Sequence, residues 1–278
     1  MQHSVRSRAG LAGACLAVLW APTPAWSQAG PAGFDQRTWL QLDAAAARVR
    51  SVSQSYDIFD TPYAPPVDTE QTLGTSRSGT VWALGFGRRI GERWRIELGA
   101  ASERRDGSTV LAQDTNVDGI VYAGGSTLRS RTQLRQWRVQ GGFSFLLSDT
   151  AEAGLSFGGH GLTLARQLRG TPAGSSPPDR VADDSLREGV VLPLLGLYGT
   201  VALAPTWQLA GRLDLTPGED YAAASATLLW RAAPNLAIGL GYQVLEANID
   251  VTWGFLFVDR TVLDYRRHGP ALSVQLSF

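Results

Sequence analysis

His160, in the stretch FGGHGL, is the side chain of this sequence best suited to move a proton near neutral pH. Ser156 shares its face of an extended chain, but a separation of four positions spans about 13 Å of strand, too far for a nucleophile to meet its base. His160 is therefore expected in a polar interior network with Arg138, Arg212 and Asp214 rather than in a catalytic dyad. His268, in YRRHGP, is expected as a solvated rim residue. No His, Cys or Asp spacing suggests zinc, and no glycine loop leads from a strand into a helix to cradle phosphate. Neither metal nor cofactor is expected.

The elements that must hold these residues follow from a two-residue rhythm. In WRIELGA, Trp94, Ile96 and Leu98 share one face while Arg95 and Glu97 share the other. QWRVQGGFSFLL sets Trp137, Val139, Phe143 and Phe145 against Arg138, Gln140 and Ser144. WQLAGRLDL sets Trp207, Leu209, Leu213 and Leu215 against Gln208, Arg212 and Asp214, and NLAIGLGYQV repeats the pattern. Helical spacing would scatter the charges onto the oily face; strand spacing does not. The polar faces yield one candidate lumen network: Arg95, Glu97, Arg138, Gln140, His160, Arg212 and Asp214.

Such segments predict about ten strands, near 38–51, 78–88, 93–103, 132–147, 152–166, 188–203, 207–216, 221–231, 235–249 and 257–278. Tight turns at RRIGER, LLSDTAE, LAPTW and RAAPN alternate with longer loops across 52–77, 104–131, 167–187 and 250–256; 217–220 is a short exception. Trp94, Phe145, Trp207, Trp230 and Phe278 all fall beside tight turns or the chain end, on the outward parity, as a periplasmic aromatic girdle would. The expected fold is all-β: a transmembrane antiparallel up-and-down β-barrel of about ten strands, with eight or twelve as alternatives. Three places strain the pattern. AAAARVR loses phase and predicts a bulge, Pro193 sits inside a strand, and Gly124 and Gly125 allow an extra hairpin in the second long loop.

The ends give the compartment. Arg6 and Arg8, then LAGACLAVLWAP and the small-residue region TPAWSQ, read as a secretory signal peptide over 1–27, leaving 28–278 as a single outer-membrane barrel domain with long extracellular loops. A lipoprotein cut at Cys15 is the rival, opposed by the apolar LAVLW that follows it. Cys15 is the only cysteine, so a cleaved chain holds no disulfide. Arginine and acid balance to a net charge of zero, giving no support for a nucleic-acid partner.

Leu272, Val274, Leu276 and terminal Phe278 alternate through ALSVQLSF and resemble the C-terminal signal by which outer-membrane barrels are recognised for assembly. An open sheet edge is not sustainable in hydrocarbon, so this strand must pair with WLQLDAAA. The half from LPLLGLYGTVALAPTWQLAGRLDL through NLAIGLGYQVLEANIDV is similar to a broad group of small outer-membrane barrels without assigned activity. VVLPLLGLYG also resembles a strand of the omptins, ten-stranded surface proteases that activate water with acidic pairs and an Asp-x-His arrangement. Here the following loop, TPGEDYAA, holds Glu219 and Asp220 without a histidine. After IELGAAS comes ERRDG, with Arg104 and Arg105 beside a single Asp106. The resemblance is one of architecture only.

A barrel of this size is narrow, and its polar residues are expected to fill much of the lumen. VTWGFLFVDRTVLDY is apolar where an extracellular tip should be, which predicts a hairpin folded over the mouth on Trp253, Phe255 and Phe257, or else an exposed contact patch. The functional expectation is a structural, surface-binding or minor-transport role in the cell outer membrane. An omptin-like or lipid-A-modifying hydrolase and a narrow selective pore are the alternatives. The expected partners are outer-membrane lipids, lipopolysaccharide and the barrel-assembly machinery.

Overall fold

Alternating side chains make a strand two-faced, and ten such strands bury one face by curling into a closed cylinder. The computed structural model describes residues 37–56, 62, 65–117, 120–174, 182–218, 220–253 and 259–278. The expected signal peptide and Cys15 lie outside them. The barrel strands are β1 (Thr38–Tyr56), β3 (Ser78–Ile90), β4 (Trp94–Val110), β7 (Thr127–Leu147), β8 (Ala151–Gly170), β9 (Ala182–Ala204), β10 (Trp207–Leu215), β11 (Asp220–Ala233), β12 (Leu236–Trp253) and β13 (Asp259–Ser277). Each pairs antiparallel with its neighbours along the chain, and β13 pairs with β1 to close the sheet. The seam is zipped to its end: the Phe278 amide donates to the Thr38 carbonyl at 2.8 Å and the Thr38 amide to the Phe278 carbonyl at 3.3 Å. Among the described residues no helix occurs.

Short turns lie at one end of the cylinder. Gly91, in the turn between β3 and β4, has a φ of +70°, a left-handed conformation that glycine adopts without steric cost. Register shifts occur at Ser144/Leu146, Trp207/Gln208 and Arg231/Ala233, all beside these turns. The bulge expected in AAAARVR is not there. β1 keeps one register against β3, and Ala45, Ala47 and Val49 stay inward because that level of the lumen is apolar. Pro193 lies beyond Leu195, the last β9 residue paired with β10, so its missing donor falls where β9 has become an edge.

At the other end the strands rise unequally. β7, β8 and β9 run 21, 20 and 23 residues, whereas β10 has 9 and β11 has 14. Two short elements cover the tall side: β2 (Val67–Asp68) adds to β1, and β5 (Thr115–Val117) pairs with β6 (Ile120–Tyr122) as a hairpin. Gly124 and Gly125 follow that hairpin rather than form its turn. β12 and β13 remain paired up to Trp253 and Asp259. Residues 254–258, with Phe255 and Phe257, lie outside the described residues.

The outer face is an oily band. Trp82 and Ile90, Trp137 and Phe145, and Trp207 and Leu215 are each eight residues apart and outward, about 26 Å of strand. Tilted as barrel strands are, that gives a band of roughly 20 Å, close to the apolar height such barrels show. Trp94, Phe145, Trp207, Trp230 and Phe278 all stand exposed on this face at the short-turn end, with Trp207 directly opposite Trp230.

Candidate functional site

The lumen is built in storeys, and the lowest is polar. Arg212 of β10 is its hub. Its guanidinium pairs with Glu97, donates to the Gln140 side-chain oxygen, and donates from Nε to Asp214 Oδ2 at 2.7 Å. Arg95 Nη2 lies 2.8 Å from Glu97 Oε1, and its guanidinium sits 3.1 Å above the centre of the Tyr198 ring. Gln140 donates to Asp214 Oδ1 at 3.2 Å, and Arg138 Nη1 lies 3.6 Å from Asp214 Oδ2. Six of the seven residues singled out from the sequence therefore meet in one array drawn from β4, β7 and β10.

His160 is set apart. Its Nε2 lies 3.1 Å from Thr216 Oγ1, and its ring packs on Tyr221 with centroids 4.2 Å apart. Ser156, fully enclosed, faces the backbone of β9: a Cβ on Gly196 would come within 2.4 Å of both Ser156 Oγ and Asp214 Oδ1. Gly196 is thus the space into which Asp214 and Ser156 fit. Ser156 and His160 form no dyad: among the described residues the hydroxyl hydrogen-bonded to His160 is that of Thr216, and Ser156 Oγ makes no hydrogen bond.

Sequence reading missed a second set beneath the array. Glu152 accepts from Arg89 at 2.7 Å and from Ser144, while Ser144 and Tyr198 share a hydrogen bond of 2.9 Å. Arg89 and Glu152 lie within or against the segments RRIGER and LLSDTAE, read as turns. Glu152 also opens the strand expected at 152–166, on the parity of Ser156 and His160, and carrying strand parity one residue past 88 would have turned Arg89 inward too. Gly154 carries another signal, since a Cβ there would strike the Tyr198 ring at 2.2 Å.

Opposite this charged wall, β1, β3, β11 and β13 present small inward residues such as Ala83, Ala223, Ser225 and Ala271. Between the walls lies a cavity of about 340 Å³, reached past Trp39, Gln41, Gln208 and Gln275. It narrows upward against an apolar storey of Val49, Val81, Leu134, Leu162, Leu164, Leu192, Leu194, Leu245, Ile249 and Leu263, every one buried. A second ionic cluster that no sequence reading placed begins within this storey and rises above it: Glu103 stands across from Val81 and Leu134, and Arg267 across from Val49 and Leu245. Arg105 binds Glu70 at 2.5 Å and Glu103 at 2.9 Å; Tyr265 donates to Glu103 at 2.5 Å, with Arg267 at 3.5 Å. Glu70 reaches in from the β1–β3 connection, where it also accepts from the Ser51 amide at 2.8 Å. Val67, Leu73, Leu111, Val117, Tyr122, Leu128 and Leu168 close over the top as a separate apolar cluster. Among the described residues no group of three His, Cys, Asp or Glu gathers to hold a metal.

No family model matches the chain, and no curated protein matches it in sequence. Solved structures do resemble it. The outer membrane protease OmpT of Escherichia coli superposes with a TM-score of 0.58 over 91% of this chain and 99% of that one, at 8% identity. The translocator domain of the autotransporter NalP of Neisseria meningitidis gives 0.41 at 11% identity, covering 91% of this chain and 90% of that one. At 8% identity the likeness to OmpT is one of fold: the chain is a closed antiparallel barrel of ten strands.

Proposed function

We propose that this protein is a sealed outer-membrane barrel that anchors and displays an extracellular platform, with a structural or surface-binding role rather than a catalytic or pore-forming one. The observation that carries this is the apolar storey. Ions and polar solutes would have to cross a level where buried Leu, Ile and Val side chains pack around the Glu103–Arg267 pair, then pass Arg105 and Glu70 beneath an apolar cap. Desolvating a charge there costs several kcal/mol at least. The low cavity is therefore a dead end facing the short turns. The oily band supports residence in a membrane, and the β13 strand ending at Phe278 supports delivery by the barrel-assembly machinery.

Protein purified as a folded barrel and added to planar bilayers should give no stable conductance steps. Large, reproducible steps would end the sealed reading. Cell fractionation should place the mature chain in the outer membrane, with a strand-dominated far-UV spectrum and heat-dependent gel mobility.

A further inference from the structure

The low cavity is faced by two opposite charges that lack a full counterpart. Arg138 is the first. Its ionic contact is Asp214 Oδ2 at 3.6 Å, an oxygen that already accepts from Arg212 at 2.7 Å, and Arg138 forms no hydrogen bond with another described residue. It keeps 37% of its side chain open to the cavity, against 10–14% for Arg89, Arg95 and Arg212. Asp43 is the second. Its donors are the neutral Gln41 amide and Ser273 hydroxyl, and among the described residues no cation comes within ion-pair distance of it.

Strand pairing sets these two at opposite ends of one trough. Across β1, β3, β4 and β7 one inward row runs Asp43, Ala83, Ala101, Gln136; the row one inward step lower runs Gln41, Gly85, Gly99, Arg138. Between the ends stand glycine and alanine alone, all against the cavity. Arg138 lies over Gly99, where a Cβ would come within 2.7 Å of its Nε, whereas a Cβ on Gly85 would meet no atom nearer than Gln41 at 3.7 Å. Three strand spacings part β1 from β7, about 14 Å of sheet, and Arg138 covers the first of them. The open stretch to Asp43 is thus roughly 10 Å.

We infer that this cavity binds a free α-amino acid with an aliphatic side chain, its carboxylate on Arg138 and its ammonium on Asp43. A lone anion would suit Arg138 and be repelled by Asp43; a lone cation would meet the reverse. A zwitterion matches both, gaining a charge-assisted hydrogen bond at each end. With bonds of about 2.8 Å at both ends, the two charged groups of an α-amino acid span roughly 9 Å. Val81, Leu194 and Leu245 roof the cavity, so the side chain it favours is apolar. The volume of about 340 Å³ holds one such molecule, entering at the short-turn mouth.

The test is a calorimetric titration of the full mature barrel, folded in uncharged maltoside micelles. The probes are L-leucine and two analogues that each lack one charge, 4-methylpentanoate and 3-methylbutylamine. L-Leucine should bind with a Kd below about 1 mM, and each analogue about tenfold more weakly or worse. Arg138→Gln should weaken leucine about tenfold. Asp43→Asn should do the same yet bring 4-methylpentanoate up to leucine's level, because the repelling charge is gone. Both variants are first checked for folded gel mobility; if Asp43→Asn fails to fold, the analogues on the unaltered protein decide. Equal binding of leucine and either analogue, no heat from leucine at about 10 mM, or unchanged leucine binding in Arg138→Gln would overturn the inference. The titration needs neither a bilayer nor a closed lumen, so conductance steps would end the sealed reading and leave this one standing.

Discussion

The two ionic clusters of the lumen use the same residue types and differ in their access to water. In the lower one Arg138 is 37% exposed and Arg212 14%, beside a cavity large enough for several waters. In the upper one the Arg105, Glu70 and Glu103 side chains are only 1–2% exposed, set among buried apolar side chains. The difference teaches which ion pairs are structural keystones. A wet cluster can lose a member and let solvent replace it. A dry cluster cannot, because the orphaned charge has nothing to turn to.

Arg105→Met should therefore have the largest effect, leaving buried Glu70 with only the Ser51 donors and Glu103 with Tyr265 and the longer contact to Arg267. A loss of about 3–5 kcal/mol is expected, read as a fall in the urea midpoint of the barrel in micelles. It should also free the β1–β3 connection to proteolysis, since Glu70 is a buried ionic tie of that segment to the wall. If Arg105→Met proved no worse than Arg138→Met, the contrast between dry and wet clusters would be wrong. Next in size is Leu245→Ala in the apolar storey around the upper cluster, at about 2–4 kcal/mol from lost burial and the cavity left behind. Its conductance sharpens the comparison, because a single truncation should weaken the seal without producing large steps. Smallest is His160→Gln at the boundary of the lower cluster. Glutamine keeps one donor and one acceptor for Thr216, so stability should move by less than about 1 kcal/mol. Peptide, ester and lipid A hydrolysis should show no turnover that depends on His160. Activity abolished by this change in a barrel that still folds would reverse the non-enzymatic reading.

The membrane-spanning part was legible in the sequence because lipid outside and polar groups inside impose a clean period of two. That is why WRIELGA and WQLAGRLDL read without ambiguity. Above the band the rule fades. On β7 the outward residues become Arg135, Gln133, Arg131 and Arg129, while the inward ones become Leu134, Thr132, Ser130 and Leu128. The polarity is inverted, so a strand expected to begin at 132 begins at Thr127. β4 likewise runs on to Val110, through residues read as loop. The polar array was legible by parity, since Glu97, Gln140 and Arg212 share one face of their strands. The upper cluster was not. Glu70 and Glu103 lie far apart in sequence, and only the fold of the β1–β3 connection brings them to the same arginine.

Closure at β1 and β13 has a consequence in time. Every other barrel pairing joins strands adjacent along the chain, whereas Asp43 meets Ser273 across 230 residues. Bringing such distant ends together costs about 5 kcal/mol of chain entropy before any contact compensates it. Hairpins can therefore accumulate early, but β1 must wait with one ladder of amides and carbonyls unpaired until the final strand arrives. Throughout that wait it is an open template for any passing strand. Whatever chaperones this protein must shield that one edge longest, and an interrupted assembly should leave a curved, nine-strand or ten-strand open sheet rather than a smaller cylinder.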